Sequence, residues 1–395
     1  MLIREAIINN SKDVSKLLQT TGCSIQAHNI LIRKGINKVV IIEKIDNRAV
    51  NILKQEAISV GADIAINKNV SKFILGFSNA VLFSDLSRML KLIDKLSVQP
   101  FNLKNVAMKI KDLVFNKKNK IFKFRNKHLN LNKPIIMGII NLDPNSFSGD
   151  GLVDPYKALN KAIEFEKLGA SIIDIGAESS RPGSLRLDIK TEINRLLPVI
   201  KLIKKNIKIP LSIDTYKYET AKIVLNEGVD IINDIFALRK GKDKLAKLIA
   251  HTKAGLIIMH MQGEPNNMQK LPQYKNCISE IYEFLDDRKT YAMNFNIKSD
   301  FIAVDPGPGF GKNIAHNMEL LKNFKIFSSL GVVVGAISRK SFISKVFGQE
   351  KISIDIANFL ALFYGSDILR VHNVKNAMLI LKIFNTLNEK NEQIT

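Results

Sequence analysis

The sequence predicts a (β/α)8 TIM barrel preceded by a small α/β N-terminal domain. Three observations carry that expectation. Eight short β-branched runs follow one another from Pro134 onward: IIMGIIN (135–141), SIIDIG (171–176), PLSIDT (210–215), DIINDI (230–235), GLIIMHM (255–261), FIAVDPG (301–307), VVVGAIS (332–338) and ILRVHNV (368–374). Amphipathic stretches separate them. Almost every run ends in groups able to do chemistry: Asn141, Asp174 with Glu178, Asp214, Asn233, His260, Asp305, Ser338-Arg339-Lys340, and Arg370 with His372.

Each element has a local reason. The runs are continuously apolar rather than alternating, which fits parallel strands covered on both faces. The connector DPYKALNKAIEFEKLGA reads as a helix. Asp154 caps it, Pro155 takes its first position, Ala158, Ala162, Ile163, Phe165 and Leu168 are its apolar positions, and Gly169 ends it. The rival, a doubly wound open sheet, concentrates its polar residues after one or two strands at a switch point. In a barrel all strand C-termini open on one face, so the polar ends converge on one mouth.

At 395 residues the chain is long enough for two domains, and the expected division is 1–125 and 134–395 with a basic connector at about 109–133. In the first part KVVIIEKI (38–45), 47–67, KFILGFS (72–78) and 83–96 suggest strands mixed with two amphipathic helices and no catalytic constellation. An apolar fraction of 46% and a charged fraction of 24% are those of a globular protein with material for a core. No apolar run approaches the roughly 18–20 residues of a membrane span. The first residues, MLIREAIINNSKD, lack the apolar centre of a secretory signal. The two cysteines, Cys23 and Cys277, match no metal spacing and read as reduced thiols of a cytoplasmic protein. The net charge of +22 permits a nucleic-acid binder or a basic surface that attracts small anions. Lysines are spread through the whole chain, and the one local run, KIKDLVFNKKNKIFKFRNKH (109–128), reads better as a charged connector than as an RNA contact. Neither nucleic acid nor membrane is an expected partner.

Two groups of residues carry the chemistry. Asp214 and Asp305, with Asn233, stand at strand ends in apolar company. Carboxylates so placed suit a flat ligand presenting adjacent N–H donors, such as an aminopyrimidinone. Against them stand Arg181, Arg370, His372 and Lys340. Arg370 and His372 are two residues apart, hence on one face of a strand, and guanidinium forks suit phosphate oxygens. With Asn141 as an oxygen ligand for a hard cation such as Mg2+, these residues would make a pyrophosphate site. DPGPGFGK (305–312) falls one residue short of a P-loop and carries Asn313 where Ser or Thr is required. It reads as a tight glycine loop that lays Phe310 against a flat ligand.

Taken in order, MGIINLDPNSFSGDG, DIGAESSRPGS, SIDTYKYETAK, INDI, MHMQGEPNNMQ, DPGPGFGK, SRKSFI and RVHNV resemble the dihydropteroate synthase family over about 134–375. NILKQEAISVGADIAI and DKLSVQPFNL look like the extra domain of longer bacterial members. The resemblance implies a transferase, usually homodimeric and a sulfonamide target, that joins 6-hydroxymethyl-7,8-dihydropterin pyrophosphate to p-aminobenzoate in folate synthesis, releasing pyrophosphate. By motif position it implies that Asp214, Asn233, Ile235, Met259, Asp305 and Lys340 hold the pterin. Ser180, Pro182, Phe310 and Ser338 would form the p-aminobenzoate side, Arg181, Arg370 and His372 would hold pyrophosphate, and Asn141 would bind Mg2+. The chain departs from the family pattern at Asp143, Asn145, Ala336 and Asn373. A pterin-dependent methyltransferase would share the Asp/Asn group without needing the arginines, and a basic RNA-binding protein on an idle barrel would need neither.

Overall fold

The computed structural model describes residues 1–395 except 2, 5, 7, 9, 73, 116–119, 143–153, 180–182, 349–350 and 389–395, and the side chain of residue 71. The chain divides into two compact units, Met1–Lys118 and Asn119–Thr395.

The first unit runs α1 (Ser11–Gln19), α2 (Ile25–Lys34), β1 (Asn37–Asp46), α3 (Asn47–Ser59), β2 (Asp63–Ile66), β3 (Phe77–Asp85), α4 (Leu86–Leu96) and α5 (Leu103–Val114). Its antiparallel sheet has the order β1-β3-β2. One core joins Val40 and Leu82 of the sheet to Val50 and Leu53 of α3, Met89 and Leu92 of α4, and Leu103, Ala107 and Ile110 of α5. The two expected helices are α3 and α4; three more are present. Helix α1 is set by its cap, in which Asn10 and Asp13 each accept from the other's backbone N–H, and it buries only Val14. Helix α2 buries no residue. Both are short and little buried, although α1 carries Val14, Leu17 and Leu18 at helical spacing.

The second unit begins with the hairpin β4 (Ile121–Phe124) and β5 (Lys127–Asn130). There follow β6 (Ile135–Asn141), α6 (Pro155–Leu168), β7 (Ile172–Gly176), α7 (Ile189–Asn206), β8 (Leu211–Asp214), α8 (Tyr218–Asn226), β9 (Ile231–Asp234) and α9 (Lys242–Thr252). The second half is β10 (Gly255–Met259), α10 (Cys277–Asn294), β11 (Ile302–Asp305), α11 (Ile314–Lys322), β12 (Val332–Gly335), α12 (Ser341–Phe347), α13 (Lys351–Phe363), β13 (Ile368–Val371) and α14 (Val374–Asn388). Strands β6 to β13 close into one parallel barrel, β13 pairing with β6. The open-sheet alternative is thereby excluded. Helix α6 begins and ends as its sequence predicts: Tyr156 N–H donates to Asp154 Oδ1 at 2.8 Å, and Gly169 takes the left-handed conformation, with φ +98°.

The barrel sorts its side chains by direction and by height. Outward residues such as Ile136, Ile140, Ile173, Ile175, Ile213, Ile232, Leu256 and Ile258 meet the helices. Inward residues low in the barrel are apolar: Met137, Ile172, Ile231, Ile257, Ala303, Val332, Val334 and Ile368. Continuing up the same inward face by twos gives Asn141, Asp174, Asp214, Asn233, Asp305 and Arg370. Pleating alone therefore delivers them to the mouth.

The hairpin closes the other end. Phe122 and Phe124 are buried in the inward apolar cluster. Gly255 makes room for them, since a Cβ there would lie 3.0 Å from the Phe122 ring. The stretch 109–133, read from sequence as a connector, thus holds the end of α5 and this plug. Three of its cations face barrel acids and carbonyls. Lys120 pairs with Asp367 at 2.7 Å and Lys123 with Asp300 at 2.7 Å, while Arg125 donates to the carbonyls of Val229 (2.8 Å) and Leu225 (2.6 Å). Among the described residues no helix is long and apolar enough to cross a membrane.

Truncating a buried phenylalanine costs about 3–5 kcal/mol. Phe122→Ala is accordingly expected to lower the urea midpoint of the barrel transition substantially. An unchanged midpoint would contradict the plug.

Candidate active site

Pairing register builds the mouth. Asn141 lies beside Gly176, Gly176 beside Asp214, and Asp214 beside Asn233 on four successive strands. Because Gly176 has no side chain, Asn141 and Asp214 face the same gap. A Cβ there would stand 3.9 Å from both Asn141 Oδ1 and Asp214 Oδ2. On the next turn of the rim, Met259 of β10 pairs with Asp305 of β11.

Arg370 ties the rim together. Its Nε donates to Asp174 Oδ2 at 2.7 Å, and its Nη2 lies 2.6 Å from that oxygen and 2.8 Å from Asp214 Oδ2. Asn233 Nδ2 adds a longer bond, 3.3 Å, to Asp174 Oδ2. The sequence reading set Arg370 apart from the acids as part of an anion site; the structure interlocks the two groups. Asp174, 0% exposed, was named among the chemistry-bearing strand ends but given no role in the site by that reading. Its spacing by two below Gly176 on an inward face was the available signal.

Burial dominates the titration of these acids. It pushes Asp214 up to about 7, with Arg370 opposing and Asp174 reinforcing the shift. It pushes Asp305 up to about 6, opposed first by the hydrogen bond from Gly307 N–H at 2.8 Å and then by Lys340 and Arg370. Arg370 is held charged: Asp174 and Asp214 outweigh its own burial and raise it. His372 goes the other way. Burial, with Arg339, Arg370 and Lys340, lowers it to about 2. His372 is therefore a neutral hydrogen-bonding ring beside the cations it was grouped with. Its backbone N–H donates to Ser338 Oγ at 3.5 Å, and its Nδ1 lies 3.2 Å from the same oxygen.

An apolar wall completes the mouth. Ile235, Met259 and Phe310 belong to one buried cluster with Tyr216, Phe236, Met261 and Met268. The Lys340 ammonium stands 3.9 Å from the centroid of the Phe310 ring, a cation–π distance. Gly309 allows this approach, since a Cβ there would meet the Lys340 chain at 3.1 Å. Thus Asn141, Asp214, Asn233, Ile235, Met259, Asp305, Phe310, Ser338, Lys340, Arg370 and His372 all stand at C-terminal strand ends or in the loops that leave them. Ser180, Arg181 and Pro182 lie outside the described residues, as do Asp143 and Asn145. The flanks of residues 180–182 are anchored: Glu178 accepts from Leu187 N–H (3.1 Å) and Tyr216 OH (2.9 Å) and is ion-paired with Lys217. Asn373, a departure from the family pattern, caps α14 by accepting from Asn376 N–H at 3.1 Å.

The pterin-binding enzyme family matches residues 137–372, which begin and end on this barrel. A dihydropteroate synthase of Haemophilus influenzae is 36% identical over 268 residues, 66% of this chain and 96% of that protein. The chain belongs to the dihydropteroate synthase family. Like that relative, it is a transferase that forms dihydropteroate. A Helicobacter pylori protein named bifunctional dihydropteroate synthase/dihydropteroate reductase is 31% identical over 390 residues, 96% of this chain and 98% of that protein. The family resemblance therefore extends through the N-terminal unit. In the crystal structure of a Yersinia pestis dihydropteroate synthase with a sulfonamide drug, 99% of the chain is covered by 68% of this one, with a TM-score of 0.65 at 31% identity.

A ligand that gives N–H donors to Asp214 and Asp305 binds their ionised forms and lowers their pKa values from about 7 and about 6. Pterin binding is therefore expected to release protons near pH 6 and to strengthen with rising pH until it levels off above about 7. Calorimetry in buffers of different ionisation enthalpy measures this; net proton uptake would contradict it.

Proposed function

We propose that Asp214, Asn233 and Asp305 hold the donor edge of the pterin, with Ile235 and Met259 against its ring and Lys340 at its carbonyl. The observation that carries the assignment is the Arg370 fork within 2.8 Å of both Asp174 and Asp214, on the rim that also holds Asp305. Acids and cations share one opening there. We assign the reaction to residues 134–395, with 1–125 as an accessory part and the basic stretch 109–133 between them.

The chemistry follows from where charge develops. The bond between the pterin methylene and the pyrophosphate oxygen breaks, and its electron pair leaves with the anion. The methylene cation is delocalised into the pterin. The aniline nitrogen of p-aminobenzoate attacks that carbon and gives up a proton. Fixed charges aimed at developing charge lower such a barrier most effectively. Arg370 and Arg181 would receive the departing anion, and His372, neutral, would donate a hydrogen bond to it. Ser180, Pro182, Phe310 and Ser338 would form the p-aminobenzoate side. The mouth needs no nucleophile, because the carbon is already electrophilic.

Among the described residues no group of three His, Cys, Asp or Glu could hold a metal ion, so those residues offer no all-protein cage. The gap beside Gly176, with Asn141 Oδ1 and Asp214 Oδ2 on its edge, instead fits Mg2+, which keeps few protein ligands and takes phosphate oxygens and water. Mg2+ held at Asn141 would supply further positive charge to the departing oxygens.

The test is pyrophosphate release that depends on p-aminobenzoate. Asp214→Ala is expected to lose about a hundredfold in kcat/KM, the scale of a charged hydrogen bond. Equal rates would remove the pterin assignment.

The full-length bifunctional relative favours a second reaction, which we also propose: reduction of 7,8-dihydropteroate, with a hydride from a dihydronicotinamide or reduced flavin added to C6 and a proton to N5. Formation of tetrahydropteroate by the full chain, and not by residues 119–395 in the same folded preparation, would place that step with the N-terminal unit. Activity in neither would refute it.

We further propose a homodimer through α12, α13 and α14. They expose Phe347, Ile352, Ile356, Phe363, Leu379 and Leu387, an apolar set better suited to a partner than to water. Ile356→Glu with Phe363→Glu is expected to give monomers in sedimentation; a dimer of unchanged strength would exclude this face. The two free cysteines fit work in the cytoplasm.

A further inference from the structure

The glycine loop contains a lysine that no step above uses. Lys312 is 2% exposed, and lysine is seldom buried without a paired acid. Its ammonium instead meets three neutral acceptors: Nδ1 of His260 at 2.9 Å and the carbonyl oxygens of Gly307 at 2.9 Å and Phe310 at 3.0 Å. Burial lowers Lys312 to about 7, and in its ammonium form it has three N–H donors, each with a partner. His260 is suited to its part. It is 5% exposed, packed edge-on against the Phe284 ring. Burial, Lys312 and Arg239 hold it well below the ordinary histidine value, which leaves a neutral ring with a lone pair to offer.

The loop this knot holds is pressed flat against the exit of β10. A Cβ on Gly307 would collide with the His260 carbonyl oxygen and one on Gly311 with that of Gln262; both glycines have positive φ, +67° and +60°. From the outer side Tyr274 OH donates to Gly311 O at 2.7 Å, and Gly309 N–H donates to Asn317 Oδ1 at 2.7 Å. Two groups of the mouth depend on the result. Gly307 N–H holds Asp305, and Phe310 presents its ring to Lys340. The two carbonyls that Lys312 binds belong to those same two residues, Gly307 and Phe310.

We propose that Lys312, with His260 as its acceptor, is a positioning residue that fixes the glycine loop and so sets Asp305 and Phe310 for the two substrates. This rests on the mouth being the dihydropteroate-forming site. The role is indirect: Lys312 touches neither substrate. Binding should therefore suffer more than turnover.

The experiment is steady-state kinetics on the full chain for wild type, Lys312→Met, His260→Leu and His260→Gln, each with a thermal melt. Lys312→Met and His260→Leu are expected to raise KM for both substrates about tenfold, as the loss of a buried hydrogen bond would, with kcat little changed. His260→Gln, whose amide oxygen can accept from Lys312, is expected to recover most of that loss. If Lys312→Met does not fold, the two His260 variants carry the test, because they differ mainly in the acceptor. Unmoved KM values with kcat falling in step with the folded fraction would overturn the proposal, as would equal impairment by Gln and Leu. A wild type that releases no pyrophosphate from the two substrates would overturn the parent reading and this one together; an active wild type with indifferent variants would overturn this one alone.

Discussion

One guanidinium between a buried and a partly buried carboxylate organises this barrel. Arg370 reaches from β13 to Asp174 on β7 and Asp214 on β8. Buried acids cost several kcal/mol each unless a cation and hydrogen bonds meet them, and a planar fork can meet two at once where an ammonium presents a single point charge. One guanidinium thus meets two carboxyl groups, and burial has pushed one of them, Asp214, up to about 7. The rim therefore still favours a ligand that brings donors, which is the property a pterin edge requires. In the proposed assignment the same cation would also receive the anion that leaves the pterin methylene, so one network would serve both binding of the heterocycle and departure of its diphosphate.

The rest of the unit keeps that network dry below and open above. On the inward face of the barrel apolar side chains fill most of the lower layers, and six of the strands turn polar toward the mouth. The seal at the bottom comes from Phe122 and Phe124 of the hairpin rather than from the strands themselves. The many lysines of that segment serve as local anchors there, Lys120 and Lys123 on barrel acids. A charge of +22 in the sequence is thus partly spent inside the fold.

Much of the fold was legible because its signals are local. Each strand is a short β-branched run, and α6 carries its own cap, proline and terminating glycine. Asp214, Asn233, Asp305 and Arg370 could be recognised because they close such runs. What was not legible depends on partners far away in sequence. The bond from Arg370 to Asp174 spans 196 residues and that from Lys120 to Asp367 spans 247, so no spacing announces either. The neutral state of His372 follows from burial among four cations, which only the assembled barrel brings together. The acceptors of Lys312 are a histidine from another strand end and two backbone carbonyls, and backbone leaves no mark in composition. The short helices α1 and α2 were not read, although α1 carries Val14, Leu17 and Leu18 at helical spacing.

The central claim is that Arg370 and Asp214 act as one unit in holding the pterin. A double-mutant cycle on kcat/KM for the pterin substrate, using Asp214→Asn, Arg370→Gln and the pair, measures it directly. A coupling energy above about 1 kcal/mol, with the double variant little worse than the poorer single one, is what the account predicts. Losses that add to within about 0.5 kcal/mol would mean the two side chains work independently and would contradict it.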